Sequence, residues 1–197
     1  DDTLMGGSGD DTVTDAGGRN YLRGGDGNDQ LQGGSGFDDI NGNAGNDSQS
    51  GGDGDDWVVG GKDNDLLNGD AGADIVWGNL GNDTLDGGAG NDQVRGGQGN
   101  DVLSGGSGND YVSGDRGDDT VTGGAGADLF HGSQDAGLDR VTDFHQSEGD
   151  RVLLDPGTTW RVSQQGADTV LTMGPGHQMV LVGVQLSSLS AGWVFEG

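Results

Sequence analysis

The feature of this sequence that most constrains its fold is a nine-residue repeat. The repeat runs from Gly6 to His131 as fourteen copies without an insertion. Position one is Gly except at Asp15, position four is Gly except at Asp63, and position six is Asp except at Asn20. Because three residue types are held at one period, each copy is expected to form the same structural unit and to stack on its neighbours.

Position eight of the repeat is apolar in thirteen copies and is interrupted only by Gln49. The glycine-rich first six residues favour a turn, and the last three favour a short strand whose middle side chain points inward. Two repeats would then complete one coil of about eighteen residues. The sequence therefore predicts an all-β fold, a right-handed parallel β-roll, whose thin core consists of Val13, Leu22, Leu31, Ile40, Val58, Leu67, Val76, Leu85, Val94, Leu103, Val112, Val121 and Phe130.

The composition indicates that apolar burial alone does not hold such a roll together. Only 29% of the residues are hydrophobic, and 46 of the 197 residues are Gly, which loses much backbone entropy when it is ordered. The formal charge is −26, and all but two of the 34 acidic residues are Asp. A short carboxylate is preferred where it must reach a turn or a metal, so these acids are interpreted as cation ligands.

The predicted metal ligands are the aspartates at position six, together with Asp2. Calcium is a hard cation that takes roughly six to eight oxygen ligands, and a glycine-rich turn can direct several carbonyl oxygens to one point. An EF-hand is excluded in the repeats because residues 1–131 contain no Glu to close its loop. The candidate ligands are Asp2, Asp11, Asp29, Asp38, Asp47, Asp56, Asp65, Asp74, Asp83, Asp92, Asp101, Asp110, Asp119 and Asp128.

The turns Gly87–Asp92 and Gly105–Asp110, with sequences GGAGND and GGSGND, resemble those of the RTX (repeats-in-toxin) family. The resemblance covers about two-thirds of the chain and implies calcium ions between turns two repeats apart. For this pair of turns it implies as ligands the carboxylates of Asp92 and Asp110 and the carbonyls of Gly88, Gly90, Gly105 and Ser107. Pairing all the turns in this way gives about eleven Ca²⁺ ions. The sites that use Asn20 or Asp63 are expected to be the weakest.

The period ends after His131, and a second unit is predicted over residues 132–197. Five runs there are predicted to be strands of a small antiparallel β cap, at residues 140–144, 151–154, 160–162, 169–172 and 179–182. The segments 139–144 and 149–154 resemble the domain that follows RTX repeats in type I secretion substrates. That resemblance implies an uncleaved export signal in the last stretch, ending at residues 193–197, although these apolar residues could equally complete the cap. We therefore expect the carboxyl-terminal part of a longer protein, secreted or on a bacterial cell surface, with the type I secretion apparatus as a partner.

The two outer faces of the predicted roll differ. One carries mostly small polar residues, whereas the other carries Tyr21, Trp57, Ile75, Trp77 and Tyr111. Exposed aromatic patches often mark binding surfaces, so this aromatic face could bind a glycan, a second copy of the chain or an upstream domain. The alternative is that these aromatic residues are scattered and bind nothing.

Other functional classes have little support in the sequence. Nucleic-acid binding needs clustered basic residues, and Lys62 is the only lysine. There is no cysteine, no apolar stretch long enough for a membrane span, and no metalloprotease or serine-hydrolase motif. We also expect no amino-terminal signal peptide. We expect no enzymatic activity in this chain, and instead a calcium-binding module that folds after secretion and stabilises or displays a larger protein.

Overall fold

The computed structural model describes all residues from 1 to 197, and it contains no α-helix. The chain forms twenty-one strands, which are arranged in two sheets, and one short 3-10 helix at Leu186–Ser188. The strands are β1 (Thr3–Ser8), β2 (Thr12–Thr14), β3 (Asn20–Asp26), β4 (Gln30–Ser35), β5 (Asp38–Ala44), β6 (Ser48–Asp53), β7 (Trp57–Lys62), β8 (Leu66–Ala71), β9 (Ile75–Leu80), β10 (Thr84–Ala89), β11 (Gln93–Gln98), β12 (Val102–Ser107), β13 (Tyr111–Arg116), β14 (Thr120–Ala125), β15 (Leu129–Gly132), β16 (Leu138–Val141), β17 (Arg151–Leu154), β18 (Arg161–Gln165), β19 (Asp168–Gly174), β20 (His177–Leu181) and β21 (Val194–Glu196).

Alternate repeats contribute to opposite sheets, as the nine-residue period predicts. Sheet A has the order β1-β3-β5-β7-β9-β11-β13-β15-β17-β21, and sheet B has the order β18-β19-β20-β16-β14-β12-β10-β8-β6-β4-β2. Within the repeats each strand pairs in parallel with the strand two repeats away, and Val94 lies opposite Val112. One coil is therefore eighteen residues long, and the predicted parallel β-solenoid, of about eight turns, is confirmed.

The repeat strands are longer than the three residues predicted from the sequence. In β10, for example, the strand begins at position seven of one repeat and continues through position three of the next. Gly87, at position one, is buried and faces inward, so the backbone can stay extended where a side chain would not fit. The turn is consequently confined to positions four to six.

The core of the roll is a single file of position-eight side chains. From Val13 to Phe130 the apolar members of this file are at most 8% exposed. Gln49 occupies its place in the file without breaking it, because its side-chain amide donates a hydrogen bond of 2.9 Å to the carbonyl of Val59.

Both sheets continue beyond the repeats. The pairings β14–β16, β15–β17, β16–β20 and β17–β21 are all parallel, and only β18, β19 and β20 pair in antiparallel fashion. The expected antiparallel cap is thus limited to those three strands, because β16 and β17 take the places of a further coil. The division of the chain into two units at residue 131 stays a prediction.

The region after the repeats has a broader core than the roll. Phe144 packs between Phe130 and Trp193, with ring centroids 5.9 and 6.2 Å away. Met173 and Leu171 are fully buried and belong to the same hydrophobic cluster. None of the helices in the chain has the length and apolar character that a membrane crossing requires.

Candidate metal centres in the turns

The aspartates at position six form two ladders along the roll, one at each edge where the turns stack. The backbone N–H of Asp92 donates a hydrogen bond of 2.8 Å to Oδ1 of Asp110, eighteen residues later. Asp110 donates in the same way to Asp128 at 3.0 Å. Each carboxylate is therefore oriented by the backbone of the preceding coil. The same bond joins Asp11 to Asp29, Asp29 to Asp47, Asp38 to Asp56, Asp47 to Asp65, Asp56 to Asp74, Asp65 to Asp83, Asp74 to Asp92, Asp83 to Asp101 and Asp101 to Asp119.

The second oxygen of these carboxylates is buried and has no hydrogen-bond partner. Burying a charged oxygen without a partner is costly, so thirteen such atoms in register form an environment that fits a positively charged ligand. Asp2 differs, since it is exposed at the end of the roll and does not share this environment. The unpartnered Oδ2 atoms belong to Asp11, Asp29, Asp38, Asp47, Asp56, Asp65, Asp74, Asp83, Asp92, Asp101, Asp110, Asp119 and Asp128.

Burial also changes the acidity of these carboxyl groups. Desolvation raises the pKa of Asp65 and Asp101 to about 7, and that of Asp110 to about 6. The N–H bond from the preceding coil lowers each pKa, and neighbouring carboxylates raise it again. An ionised ladder therefore requires compensating positive charge.

Glycine at position four leaves a carbonyl oxygen free in each turn. Gly90 has φ +140°, and its N–H donates a 2.8 Å bond to the carbonyl of Ser107. The carbonyl oxygen of Gly90 itself accepts no hydrogen bond. A Cβ at Gly108, in the next coil, would collide with that oxygen, which explains why Gly is required there. The Ser107 carbonyl, a ligand implied by the family resemblance, already accepts one hydrogen bond.

The space beside position one is lined by oxygen atoms. A Cβ on Gly105 would lie 2.6 Å from Oδ2 of Asp110 and 2.6 Å from the carbonyl oxygen of Gly123. A side chain at Gly105 would thus fill the space into which the unpartnered carboxylate oxygen points. No three carboxylate or imidazole side chains converge anywhere in the chain, so a cation here would need backbone oxygens as well. That donor set fits Ca²⁺, which accepts mixed carboxylate and carbonyl ligands.

Two turns depart from the pattern in the ways the sequence indicates. Asn20 keeps its place in the ladder, because its backbone N–H and its Nδ2 both donate to Oδ1 of Asp38, at 2.9 and 2.8 Å. Its amide brings no charge to the turn. Asp63 adopts φ +73°, the left-handed conformation for which the other repeats use Gly.

The structure adds two ladder residues that lie outside the nine-residue period. Asp128 donates its N–H to Oδ1 of Asp150 at 3.0 Å, and Asp119 donates to Oδ1 of Asp139 at 3.4 Å. These partners are twenty-two and twenty residues away, so the fixed period does not find them. The triplets Asp139-Arg140-Val141 and Asp150-Arg151-Val152 nevertheless reproduce positions six to eight of the repeat, which is the signal that identifies them. Burial and the neighbouring Asp119 raise the pKa of Asp139.

His131 lies close to two polar side chains at the end of sheet A. Its Nδ1 lies 3.1 Å from Oγ of Ser113, and its Nε2 lies 3.1 Å from Oδ1 of Asp155. Ser113 is only 1% exposed, and its hydroxyl also lies 2.7 Å from Oδ1 of Asp115. A serine nucleophile must reach a substrate carbonyl, so this buried hydroxyl is not arranged for catalysis.

Comparison with known proteins agrees with the repeat geometry. A family model described as RTX calcium-binding nonapeptide repeat (4 copies) matches residues 1–31, 23–48, 50–85, 77–112 and 104–138, which together cover more than half of the chain. A search of curated proteins found no match.

Among solved structures, the chain is similar to the extracellular lipase LipA from Serratia marcescens, with 20% identity over 93% of this chain and 42% of the lipase (TM-score 0.38). It is also similar to the AlgE6R3 and AlgE6R2 subunits of the Azotobacter vinelandii mannuronan C5-epimerase. Their identities are 26% and 24%, over 66% and 71% of this chain and 78% and 91% of theirs, with TM-scores of 0.41 and 0.38. The chain thus spans less than half the length of the lipase. Its nine-residue period, its aspartate ladders and the family match show that this chain belongs to the family of RTX calcium-binding nonapeptide repeats.

Proposed function

We propose that the chain is a calcium-driven folding module of a larger secreted or cell-surface protein, in which position-six aspartates are the charged ligands. The observation that carries this proposal is the row of buried, unpartnered Oδ2 atoms. Calcium supplies the positive charge that these oxygens lack. The aspartates orient their carboxylates through the ladder, and the turn glycines expose carbonyl oxygens beside them.

The proposed sites lie between turns that are two repeats apart. For one such site the ligands are the carboxylates of Asp92 and Asp110, the carbonyl of Gly90 and further carbonyls of the same two turns. Continued along both edges, this arrangement gives about eleven ions, whose charge would nearly offset the formal −26 of the chain. The turns with Asn20 and Asp63 are the weakest members.

Secretion suits this chemistry. Extracellular calcium modules work at roughly 10⁻⁴–10⁻³ M, which is far above cytosolic levels. Because no site exists in the unfolded chain, metal binding and folding form one equilibrium. The chain would leave the cell unfolded through a type I secretion apparatus, directed by its last residues, and would fold outside. Residues 132–197 would close the roll formed by residues 1–131.

The test is a calcium titration of the chelator-treated chain followed by circular dichroism. We expect loss of most β-structure without calcium, and its recovery with Ca²⁺ at concentrations where Mg²⁺ is ineffective, because Mg²⁺ demands a stricter octahedral geometry. Equilibrium dialysis of the refolded chain gives the number of ions. Full β-structure in chelator at pH 8, where the buried carboxylates are ionised, would refute the proposal.

A second candidate function is adhesion through the aromatic face of sheet A. Trp57 and Trp77 form an edge-to-face pair with centroids 5.7 Å apart, and Tyr21 and Trp57 are 45% and 38% exposed. Tyr111 instead stacks on His131 at 5.8 Å, so the aromatic residues form two groups. Replacing Trp57 and Trp77 by Ser would abolish self-association in sedimentation, or retention on a polysaccharide. If neither property changes, the adhesive function is wrong.

A further inference from the structure

An open groove runs along the axis of the roll on the outer surface of sheet A. It has a volume of about 1010 Å³ and lies beside the aromatic face, between the side chains at position nine and those at position three of the following repeat. It extends from β3 to β15, seven strands spaced about 4.8 Å apart, and is therefore about 29 Å long. This shape suits an extended polymer better than a compact small molecule.

The charged groups in the groove largely neutralise one another. Three cationic and four anionic side chains line it. Arg95 makes a bidentate pair with Asp115, with N···O distances of 2.9 and 3.0 Å, and Arg116 lies 3.6 Å from Asp135. Lys62 is thus the one lining lysine or arginine without a carboxylate in ion-pair range. A polyanion would find little free positive charge, whereas the paired ions and the amides offer donors and acceptors for hydroxyl groups.

The floor of the groove carries a polar side chain on every second coil. These side chains are Asn43, Asn79 and Asp115, all at position two, with φ values of +80°, +77° and +67°. The alternate coils have Gly61 and Gly97 at this position. Non-glycine residues in the left-handed conformation are strained, and such strain concentrates at functional sites. Here the strain places polar groups on the groove floor at a spacing of two coils.

That spacing matches a polymer with a two-unit repeat. Two strand spacings correspond to about 9.6 Å. A flat β-1,4-linked polysaccharide presents the same edge at every second sugar, and its two-sugar repeat has nearly this length. Each floor side chain could therefore meet an equivalent hydroxyl group along one straight polysaccharide chain.

Trp77 adds an apolar surface and an unused donor beside the groove. It lines a smaller cavity of about 240 Å³ whose walls include Asn79 and Arg95, both of which also line the groove. Its Nε1 is the one buried side-chain nitrogen without a hydrogen-bond partner. An indole can pack its ring against the C–H face of a sugar while its N–H bonds a hydroxyl.

We propose that this groove binds an uncharged, extended β-1,4-linked polysaccharide laid parallel to the roll axis. Asn43 and Asn79 bond its hydroxyl groups, and Trp77 packs against one sugar. The site rests on the proposed calcium-dependent folding, because the groove exists only when the coils are stacked.

The test is calorimetric titration of the full chain, in saturating calcium, with cellohexaose. Maltohexaose, which curves, and hexagalacturonate, which is anionic, serve as comparison ligands at the same free calcium concentration. The variant is Asn43→Gly with Asn79→Gly, which removes both side chains at positions where Gly is the less strained residue, so the variant is expected to fold. The matched control is Asp70→Gly, at position two on sheet B with φ +72°.

We expect cellohexaose to bind, maltohexaose and hexagalacturonate to bind at least tenfold more weakly, and the double variant to lose at least tenfold in affinity while Asp70→Gly loses none. Circular dichroism of each sample shows whether the roll is folded. Three results would overturn the groove proposal. The folded wild-type chain could fail to bind cellohexaose, it could bind one of the comparison ligands more tightly, or the folded double variant could bind cellohexaose as tightly as the wild type. None of these results would affect the proposed folding function, which fails only if the roll forms without calcium at pH 8, where the buried carboxylates are ionised.

Discussion

The repeat roll and the region after residue 131 use aspartate in opposite ways. In the roll the position-six carboxylates from Asp29 onward accept backbone N–H groups through Oδ1 and bury an unpartnered Oδ2. In the following region both oxygens of Asp143 accept N–H groups, from Gly123 and Gly124 at 2.9 and 2.8 Å, and Asp150 accepts from Asp128 and His145. An aspartate in the roll therefore keeps one carboxylate oxygen that fits a cation. Asp143 and Asp150, by contrast, have both oxygens hydrogen-bonded to backbone N–H groups.

The apolar cores of the two regions also differ. Each repeat contributes one side chain to a thin file, whereas Phe144, Trp193 and the buried methionines form a broader cluster after the repeats. The proposed function requires that the roll depend on cations for its cohesion, whereas the terminal region would be held by ordinary packing. The four predictions below, in order of decreasing expected effect, test this division.

The largest effect is expected from pH in the absence of calcium. The pKa of Asp65, Asp74 and Asp101 rises from the ordinary 3.8 to about 7 in the folded chain, so between these values the folded state binds more protons than the unfolded state. Stability of the calcium-free roll therefore falls as pH rises through about 7, and the penalty disappears fully only below about pH 4. Circular dichroism of calcium-free chain should show β-structure increasing from pH 8 to pH 5.

With calcium present the direction reverses, because protons compete for the ligand oxygens. The calcium concentration at the folding midpoint should then rise on acidification. A calcium-free chain whose spectrum is the same at pH 8 and pH 5 would contradict the inference that the buried carboxylates oppose folding.

Phe144→Ala should weaken the terminal region by about 3–5 kcal/mol, because it leaves a cavity between Phe130 and Trp193. The loss should persist in saturating calcium, as measured by urea unfolding. Trp160→Ala is the control, since Trp160 is 39% exposed. Equal losses from the two substitutions, or rescue of Phe144→Ala by calcium, would break the proposed division.

Asp110→Asn should raise the calcium concentration needed for folding and cost about 1.5–3 kcal/mol at limiting calcium, because it removes the charge from a ladder carboxylate while keeping an Oδ1 acceptor. Calcium titration followed by circular dichroism measures the shift. Asp53→Asn removes an equal charge from an exposed position and should leave the midpoint nearly unchanged. A shift of the same size in both variants would mean that only net charge matters.

Asp63→Gly should stabilise the roll by about 1 kcal/mol or less, because relief of the left-handed strain is partly offset by the backbone entropy of Gly. Asp53→Gly should instead destabilise the roll. Gly loses more backbone entropy on folding than Asp does, and Asp53 has no positive φ whose strain Gly would relieve. Thermal unfolding in calcium separates the two. Destabilisation by Asp63→Gly would show that this carboxylate has a role in its turn.

The sequence predicts the roll well because its period leaves little choice of register. Once position eight must face inward, an eighteen-residue coil follows, and so do the two sheets and the stacked aspartates. The length of the strands does not follow from the period. A Gly such as Gly87 favours a turn in the sequence, and its burial within a strand is visible only once the neighbouring coil is in place.

The region after the repeats is harder to predict because its ladder partners are irregularly spaced. Asp139 and Asp150 occupy ladder places through spacings of twenty and twenty-two residues, which no fixed period reveals. Its parallel strands were likewise missed, because short apolar runs do not specify which sheet edge they join. The metal ligands themselves stay a prediction that calcium titration must test.

The two-repeat coil also gives the molecule a parity. Because odd and even repeats belong to different sheets, removing eighteen residues, such as 78–95, would shorten the roll and leave every later strand in its own sheet. Removing only nine would preserve the motif and every turn, yet move all later strands to the opposite face. The length of such a protein can therefore change without altering its two faces only by whole coils of eighteen residues. A change of nine residues would exchange the side chains that later strands present on each face.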